Sequence, residues 1–124
     1  MISRILLIPS MVSVALLTGC AAPGLYQWGG YDQALYAGYK DTTKMEALRT
    51  KLEAHLGEME KSKAKVAPGL YAELGTLYLQ AGSSQKAIDY YNKERNSWPE
   101  SQVLMTSLIQ NLERRQAAQT GNKP

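Results

Sequence analysis

The sequence contains few of the side chains that enzymes use as nucleophiles, metal ligands or proton carriers. It has one cysteine, Cys20, one histidine, His55, and no phenylalanine. A lone cysteine excludes an internal disulfide, and one histidine is too few for the usual zinc motifs. The sequence also lacks a phosphate-binding glycine loop and a Gly-x-Ser-x-Gly nucleophile motif. We therefore expect no enzyme activity, no metal and no cofactor, and we interpret His55 as a half-buried packing residue.

The charge balance is too mild to favour a nucleic-acid partner. The chain has 14 Lys and Arg against 11 Asp and Glu, which gives a formal net charge of +3. Removal of Arg4 with an N-terminal signal would lower that charge by one. Binding to a phosphate backbone usually needs a clustered excess of positive charge. We predict no nucleic-acid binding.

The apolar run near the N-terminus, residues 5–17, is too short to span a bilayer as a helix. It follows a short positive start and precedes Leu17-Thr18-Gly19-Cys20, an order typical of an export signal. These four residues resemble a bacterial lipobox, which implies cleavage before Cys20 and acylation of Cys20. The alternative is an ordinary secretory signal with a chance cysteine. In proteins with such a lipobox, an Asp directly after the cysteine favours the inner membrane. This chain has Ala21 there, so the same resemblance implies a lipid anchor in the outer membrane, with the protein facing the periplasm.

Residues 68–99 contain two helical patterns separated by Gly-Ser-Ser. Aromatic, Leu-Gly, small and Pro positions recur there at fixed spacings: Tyr71, Leu74, Gly75, Tyr78, Ala87, Tyr91 and Pro99. This pattern resembles a tetratricopeptide repeat. Gly75 and Ala87 would let the two helices cross closely, Gly82 suits a left-handed helix end, and Ser83 or Ser84 suits an N-cap. A generic helical hairpin is the alternative. The repeat usually has a small residue where this chain has Glu94, so we expect a looser, partly solvated seam there.

Three more helices are predicted around this pair. The first is Tyr31–Lys40, with an apolar side formed by Tyr31, Leu35, Tyr39 and Tyr36. The second begins after Thr43, which has the capping-box spacing to Glu46, and carries an apolar stripe of Met45, Leu48, Leu52, Leu56 and Met59. These two resemble a degenerate copy of the repeat. The last, Glu100–Arg115, has Val103, Leu104, Ser107, Leu108 and Leu112 along one side and resembles a capping helix.

The fold class is therefore all-α, a short tetratricopeptide-like array of about five helices after a cleaved lipoprotein signal peptide. We divide the chain into the signal peptide at 1–19, a lipidated tether at 20–30, the helical domain at 31–116 and a disordered tail at 117–124.

Residues 28–40, Trp-Gly-Gly-Tyr-Asp-Gln-Ala-Leu-Tyr-Ala-Gly-Tyr-Lys, add a second resemblance. Placed after a lipobox and before a helical pair, this segment is similar to small proteobacterial lipoproteins of the domain-of-unknown-function family 4810. The resemblance implies no activity, because none is assigned to that family. Genes of such families often lie beside lipoproteins that resemble the curli secretion channel, which implies an envelope assembly as a partner.

Two surfaces are candidates for binding. By the repeat's geometry, the first helices of each pair would line a groove for a protein partner, formed by Gln33, Ala37, Lys40, Ala72, Thr76, Leu79 and Gln80. Plain solvent exposure, or contact with the last helix, is the alternative for these residues. The N-terminal aromatics Tyr26, Trp28 and Tyr31 could stack on a glycan or pack as a plug on the first helices.

The leading functional hypothesis is a membrane-anchored, non-enzymatic scaffold that binds a protein in an envelope complex. The alternatives are a glycan- or peptidoglycan-binding module and a structural lipoprotein that associates with itself.

Overall fold

The computed structural model describes residues 24–121, and the statements below concern this part of the chain. The apolar run, the lipobox with Cys20 and the last residues, 122–124, lie outside the described residues. The predicted signal peptide and the acylation of Cys20 therefore stay predictions.

Helices alone form the regular structure of the described residues, with no strand among them, which confirms the all-α class. Each helix packs against the next in chain order, so α1 and α5 are the two ends of a stack. The helices are α1 (Tyr31–Lys40), α2 (Met45–Lys61), α3 (Leu70–Gln80), α4 (Ser84–Ser97) and α5 (Gln102–Gly121), with 3₁₀ turns at Thr42–Lys44 and Pro99–Ser101.

The predicted end of the last helix is too early. α5 continues to Gly121, so residues 117–121 of the predicted disordered tail are helical. Ala and Gln, which make up residues 116–119, are favourable in helices and let the helix continue beyond its packed part.

Asp41, rather than Thr43, caps the turn between α1 and α2. The Asp41 carboxylate accepts hydrogen bonds from the Thr43 N–H at 3.0 Å and from the Thr43 hydroxyl at 2.6 Å. These hydrogen bonds hold the pKa of Asp41 below its usual value. The predicted capping role of Thr43 is therefore wrong, because Thr43 lies inside the 3₁₀ turn and donates where a cap would accept.

α3 and α4 cross closely because Gly75 has no side chain at the crossing point. A Cβ on Gly75 would lie 2.8 Å from the ring of Tyr91 and 3.1 Å from the carbonyl oxygen of Ala87. Gly82 ends α3 in the left-handed conformation, and the Ser83 N–H reaches back to the Tyr78 carbonyl at 2.9 Å. Ser83 is the N-cap of α4, but its side chain makes no capping hydrogen bond.

The core has two parts, one on each side of the α3–α4 pair. The α2 stripe predicted from the sequence is buried against α3, except that Met45 is only partly buried. On the other side α5 buries Met105, Ile109 and Leu112 against Ala87, Ile88 and Tyr91 of α4.

The predicted apolar sides of the two end helices need correction. On α5, Val103, Leu104 and Ser107 are exposed, and Met105, Ile109 and Leu112 form the packed side. On α1, Tyr36 and Tyr39 are exposed, while Ala34, Leu35 and the buried Gly38 face α2. Both helices carry a second apolar row, which turns away from the core.

Glu94 is fully buried, contrary to the solvated seam that we predicted at this position. Its Oε1 atom accepts hydrogen bonds from the Gly69 N–H at 2.8 Å and from the Ser101 hydroxyl at 3.0 Å. The first bond supplies an acceptor for a free N–H at the start of α3, and the second fixes the turn that leads into α5. The carboxylate therefore fills the seam by joining three segments instead of opening it to water.

Two hydrogen-bonded sets, each centred on a glutamate of α2, fasten α2 to the α3–α4 pair. Glu53 accepts hydrogen bonds from the Tyr78 hydroxyl at 2.6 Å and from the Tyr90 hydroxyl at 3.1 Å. One heptad further along α2, Glu60 accepts from the Tyr71 hydroxyl at 3.0 Å and from Lys93 at 2.7 Å. Each set thus crosses three helices, and together they fix the position of α2 along the pair.

These hydrogen bonds shift the pKa values in opposite directions. The Tyr78 hydroxyl lowers the pKa of Glu53, and Lys93 lowers that of Glu60. Burial, followed by the neighbouring carboxylate, raises the pKa of the Tyr71, Tyr78 and Tyr90 hydroxyls. At neutral pH the carboxylates stay ionised and the hydroxyls stay protonated, as the hydrogen bonds require.

Two of the helical glycines, Gly57 and Gly75, should respond oppositely to alanine. Gly57→Ala should stabilise the protein by about 1 kcal/mol, because nothing lies within 4 Å of the new Cβ and alanine favours the helix. Gly75→Ala should destabilise it by about 1–3 kcal/mol, because the Tyr91 ring is buried and cannot move aside. Urea unfolding of both variants measures the difference, and equal effects would contradict the close crossing.

Stability should be greatest between roughly pH 5 and pH 9. Folding lowers the pKa of Glu53 and Glu60, so their contribution is fully present above the ordinary value of 4.5 and is lost as the pH falls below that value through the lowered pKa. Folding raises the tyrosine pKa values, so their contribution is present below 10.0 and is lost above it. Urea unfolding across this range should show both declines.

Glu53→Gln should flatten the decline in acid. The control is Glu58→Gln, because Glu58 is exposed and makes only a surface pair with Lys61 at 3.7 Å. An unchanged acid decline in Glu53→Gln would show that the stability loss arises elsewhere.

Candidate binding cleft

The structure separates the residues that we predicted to line one groove. Ala72 and Leu79 pack against the α4–α5 part of the core. The Thr76 hydroxyl lies 3.0 Å from the Ala72 carbonyl oxygen and 3.0 Å from the Tyr91 hydroxyl. These three side chains therefore belong to the contact with the last two helices, the alternative that we considered for them.

The remaining predicted groove residues lie on α1 and at the end of α3. Gln33 and Lys40 are exposed, Ala37 is partly buried, and the Lys40 ammonium lies 4.8 Å from the centre of the Tyr36 ring. Of the whole predicted set, Gln80 alone lines a concave surface described below. The predicted residues of α1 and those of α3 therefore do not form one common groove.

A cleft of about 350 Å³ lies between α1 and α3, and we call it the α1–α3 cleft. Its lining residues are Leu35, Gly38, Tyr39, Thr42, Met45, Glu73, Leu77 and Gln80. A hollow of about 260 Å³ adjoins it, shares Met45, Leu77 and Gln80, and extends to Glu46, Arg49 and Ala81. On α3 the cleft residues Glu73 and Leu77 each follow a predicted groove residue by one position.

The cleft forms because α1 packs on α2 more closely than on α3. Gly38 makes this possible, since a Cβ there would lie 2.9 Å from the sulfur of Met45 and 3.6 Å from Leu48. The capped turn at Asp41 then leads the chain directly into α2. The side of α3 that bears Glu73, Leu77 and Gln80 is left facing a gap.

The cleft has an apolar floor and a polar rim. Leu77 is buried at the floor, and Leu35 and Met45 are partly buried beside it. Glu73 provides the only acidic side chain among the cleft residues defined above, with Thr42 and Gln80 as neutral neighbours. Such a surface suits an apolar side chain held by polar contacts at the edge.

Glu73 also affects the N-terminal edge of the cleft. Burial raises the pKa of the Tyr31 hydroxyl, and the negative charge of the nearby Glu73 carboxylate raises it further. Tyr31 therefore stays protonated beside the rim of the cleft.

The N-terminal aromatics are separated by their packing. Tyr26 meets the ring of Trp98 edge to face, with 5.9 Å between ring centres. Tyr26 and Tyr31 both pack against the α2–α3 part of the core, whereas the Trp28 side chain is 47% exposed. The arrangement is that of a plug on the first helices, with Trp28 at its surface.

His55 helps to hold that plug in place. Its Nε2 atom lies 2.8 Å from the Gln27 carbonyl oxygen, so the ring donates its N–H there. Lys51 donates to the Gly30 carbonyl at 3.1 Å. The partly buried position of His55 agrees with the packing role predicted from the sequence.

Within residues 24–121, no cluster of three or more His, Cys, Asp or Glu has the geometry of a metal site. None of the helices in that range is both long and apolar enough to cross a membrane.

The sequence reasoning missed Leu35, Gly38, Glu73 and Leu77 as cleft residues. One signal was present: Glu73 is the only charged residue in an otherwise apolar and neutral helix. A lone carboxylate on a packed helix indicates a local polar environment, here the rim of the cleft.

Comparison with known proteins places the chain in a family. The family described as "Domain of unknown function (DUF4810)" matches residues 25–108, which include α1–α4 and the first third of α5. No curated protein and no solved structure matches the sequence. Since the match spans more than half of the chain, this protein belongs to the DUF4810 family.

Proposed function

We propose that this protein is a lipid-anchored scaffold of the bacterial envelope that binds a segment of another protein in the α1–α3 cleft and catalyses no reaction. The observation that carries the proposal is the cleft itself, with its buried Leu77 floor and the Glu73 carboxylate on its rim. Its volume of about 350 Å³ is at the lower end of the range of ligand pockets. It therefore suits one large apolar side chain of a peptide or helix.

The rim narrows the kind of segment that fits. Glu73 accepts hydrogen bonds and would favour a donor or a basic residue next to the apolar anchor. The adjoining hollow contains Arg49 and Glu46, which would pair with acidic and basic residues, respectively, of the bound segment. A second apolar residue one helical turn away would lie over Met45, which both hollows share.

The proposal includes a tetratricopeptide-like architecture. The hairpin α3–α4 would be one repeat, α1–α2 a degenerate one, and α5 the capping helix. Three observations support this: Gly75 and Ala87 lie at the helix crossing, Tyr91 is buried there, and the helices stack in chain order. Arrays of this kind bind peptides along one concave surface.

The envelope location rests on the sequence before residue 24. The lipobox ending at Cys20 supports acylation, and Ala21 supports the outer membrane with the domain facing the periplasm. The resemblance to lipoproteins encoded beside curli-secretion-channel relatives supports an envelope protein as the partner.

Glycan binding by Tyr26, Trp28 and Tyr31 has weaker support. Tyr26 is held against Trp98, and Tyr31 against the core and Glu73, so neither ring is free to stack on a sugar. Only Trp28 of the three presents an exposed ring.

Replacement of Cys20 tests the anchor. Cys20→Ser should release the protein from salt-washed membranes, because each buried methylene of the lipid contributes about 0.8 kcal/mol of membrane affinity. Sedimentation followed by immunoblotting measures the released fraction. A variant that still sediments fully with the membranes would exclude a lipid anchor on Cys20.

Filling the cleft tests the binding surface. Gln80 is exposed and lines both hollows, so Gln80→Trp should fill them without disturbing the core. Membranes carrying the intact chain with a tag after Pro124 are solubilised gently, and co-purifying proteins are quantified by mass spectrometry. A specific envelope protein should be recovered with the parent chain and reduced by about tenfold or more with Gln80→Trp.

The matched control is Gln85→Trp, which adds the same ring at an exposed position of α4 away from the cleft. It should leave the co-purified protein unchanged. Equal recovery with Gln80→Trp and Gln85→Trp, or no companion of a folded and anchored protein, would reject binding through this cleft.

A further inference from the structure

Four of the six exposed large apolar side chains of the described residues lie on the two end helices of the stack. Leu25, Trp28, Tyr36 and Tyr39 belong to α1 and the segment before it, and Val103 and Leu104 belong to α5. Within the described range, α2, α3 and α4 contribute none. The apolar surface is therefore concentrated on the outermost helices, where the stack stops.

This distribution is the reverse of what an isolated stack needs. The end helices of a helical array have no further neighbour, so their outer faces are normally polar. Here Tyr36 is 62% exposed and Leu104 is 60% exposed. Contiguous apolar residues on an outer helix face indicate a contact with another protein surface.

The two end faces share one order of charges. On α1, the face away from α2 begins with Asp32, continues with Tyr36 and Tyr39, and ends with Lys40. Their spacing of four, seven and eight residues from Asp32 places them on one side of the helix. The sequence of this face is therefore acidic, apolar and basic along the chain.

The outer face of α5 follows the same order. Glu100, in the turn before the helix, is followed by Val103 and Leu104 and finally by Arg114 and Arg115. All five residues are exposed, and their spacing again keeps them on one side. In an antiparallel contact the basic end of α1 therefore meets the acidic start of α5, while the longer α5 carries its basic end about 9 Å beyond Asp32.

We propose that the outer face of α1 in one copy packs antiparallel on the outer face of α5 in the next copy, so that the protein associates head to tail. The tyrosines of α1 then cover Val103 and Leu104, and Lys40 lies opposite Glu100. Because the two faces are different, each copy keeps one free face after pairing. The assembly grows into a ring if the rotation between copies closes, and into a row if it does not.

A second copy explains both end faces at once. A symmetric contact between two α5 helices would cover Val103 and Leu104 but leave Tyr36 and Tyr39 exposed. The head-to-tail contact covers all four residues and uses oppositely charged ends of the same chain. The contact covers Tyr39, one wall residue of the α1–α3 cleft, but it leaves Leu77, Glu73 and Gln80 uncovered, so the floor and the α3 side of the cleft stay available for another partner.

Thiol crosslinking of the full-length chain in membranes tests the proposal. Tyr36→Cys combined with Leu104→Cys should give a ladder of dimers, trimers and larger species with a short bismaleimide. Each single variant should give no more dimer than the parent chain, whose only cysteine is Cys20. Co-expression of the two single variants should give dimers and nothing larger, because each copy then has one reactive face.

The control pair is Glu58→Cys with Ser97→Cys, two exposed positions on middle helices, which should give no ladder. A dimer from Leu104→Cys alone would show a symmetric α5 contact and overturn the proposal. The absence of a ladder from the Tyr36→Cys and Leu104→Cys pair would overturn it as well.

The antiparallel register has its own test in the same double-cysteine background. Lys40→Glu should reduce the crosslinked fraction by about two- to fivefold, because Glu would then face Glu100. Adding Glu100→Lys should restore the fraction, since the pair is present again with exchanged charges. A fraction that the second change lowers further would exclude this register.

Discussion

Tyr91 lies against the backbone of Gly75, and this contact sets how closely α3 and α4 approach each other. The hydroxyl of the same tyrosine reaches Thr76, and its ring faces Met105, Ile109 and Leu112 through the shared core. On the opposite side of the pair, Tyr71 and Tyr78 of α3 reach Glu60 and Glu53 of α2. The position of α2, and through α2 that of α1, thus depends on an α3–α4 spacing that only a residue without a side chain allows.

The sequence predicted the middle of the stack better than its ends, for a physical reason. The middle helix α2 has a single apolar row, so the periodicity of Leu48, Leu52 and Leu56 identifies its buried side directly. α1 and α5 each have two apolar rows, one packed and one exposed. Periodicity cannot rank two rows of equal hydropathy, because the choice depends on where α2 and α4 lie. Val103 and Leu104 were assigned to the core for this reason.

The cleft and the buried Glu94 could not be derived from local patterns. Each depends on how the fold places residues distant in the sequence: Gly38 beside Leu48, Leu35 across the cleft from Leu77, and Glu94 in a hydrogen bond with Gly69. The sequence correctly predicted that a groove would lie between the first helices of each pair, α1 and α3. The side chains on α3 were displaced by one position, which is about 100° around a helix. That rotation is set by packing against α4, where Ala72, Thr76 and Leu79 are used.

The proposed anchor and the proposed head-to-tail contact restrict each other. With acylated Cys20, residues 20–25 would tether the plug that begins at Tyr26 to the membrane over at most about 20 Å, even if fully extended. Because α1 and α3 flank one cleft and α3 also packs on α5, three helices packed about 8–10 Å apart set the length, and each copy is about 30 Å long along the stack. A row growing away from the membrane would lift the second copy beyond the reach of its own lipid. A row along the membrane keeps every α1 at the same height, so an anchored assembly would spread across the membrane surface and present its clefts side by side.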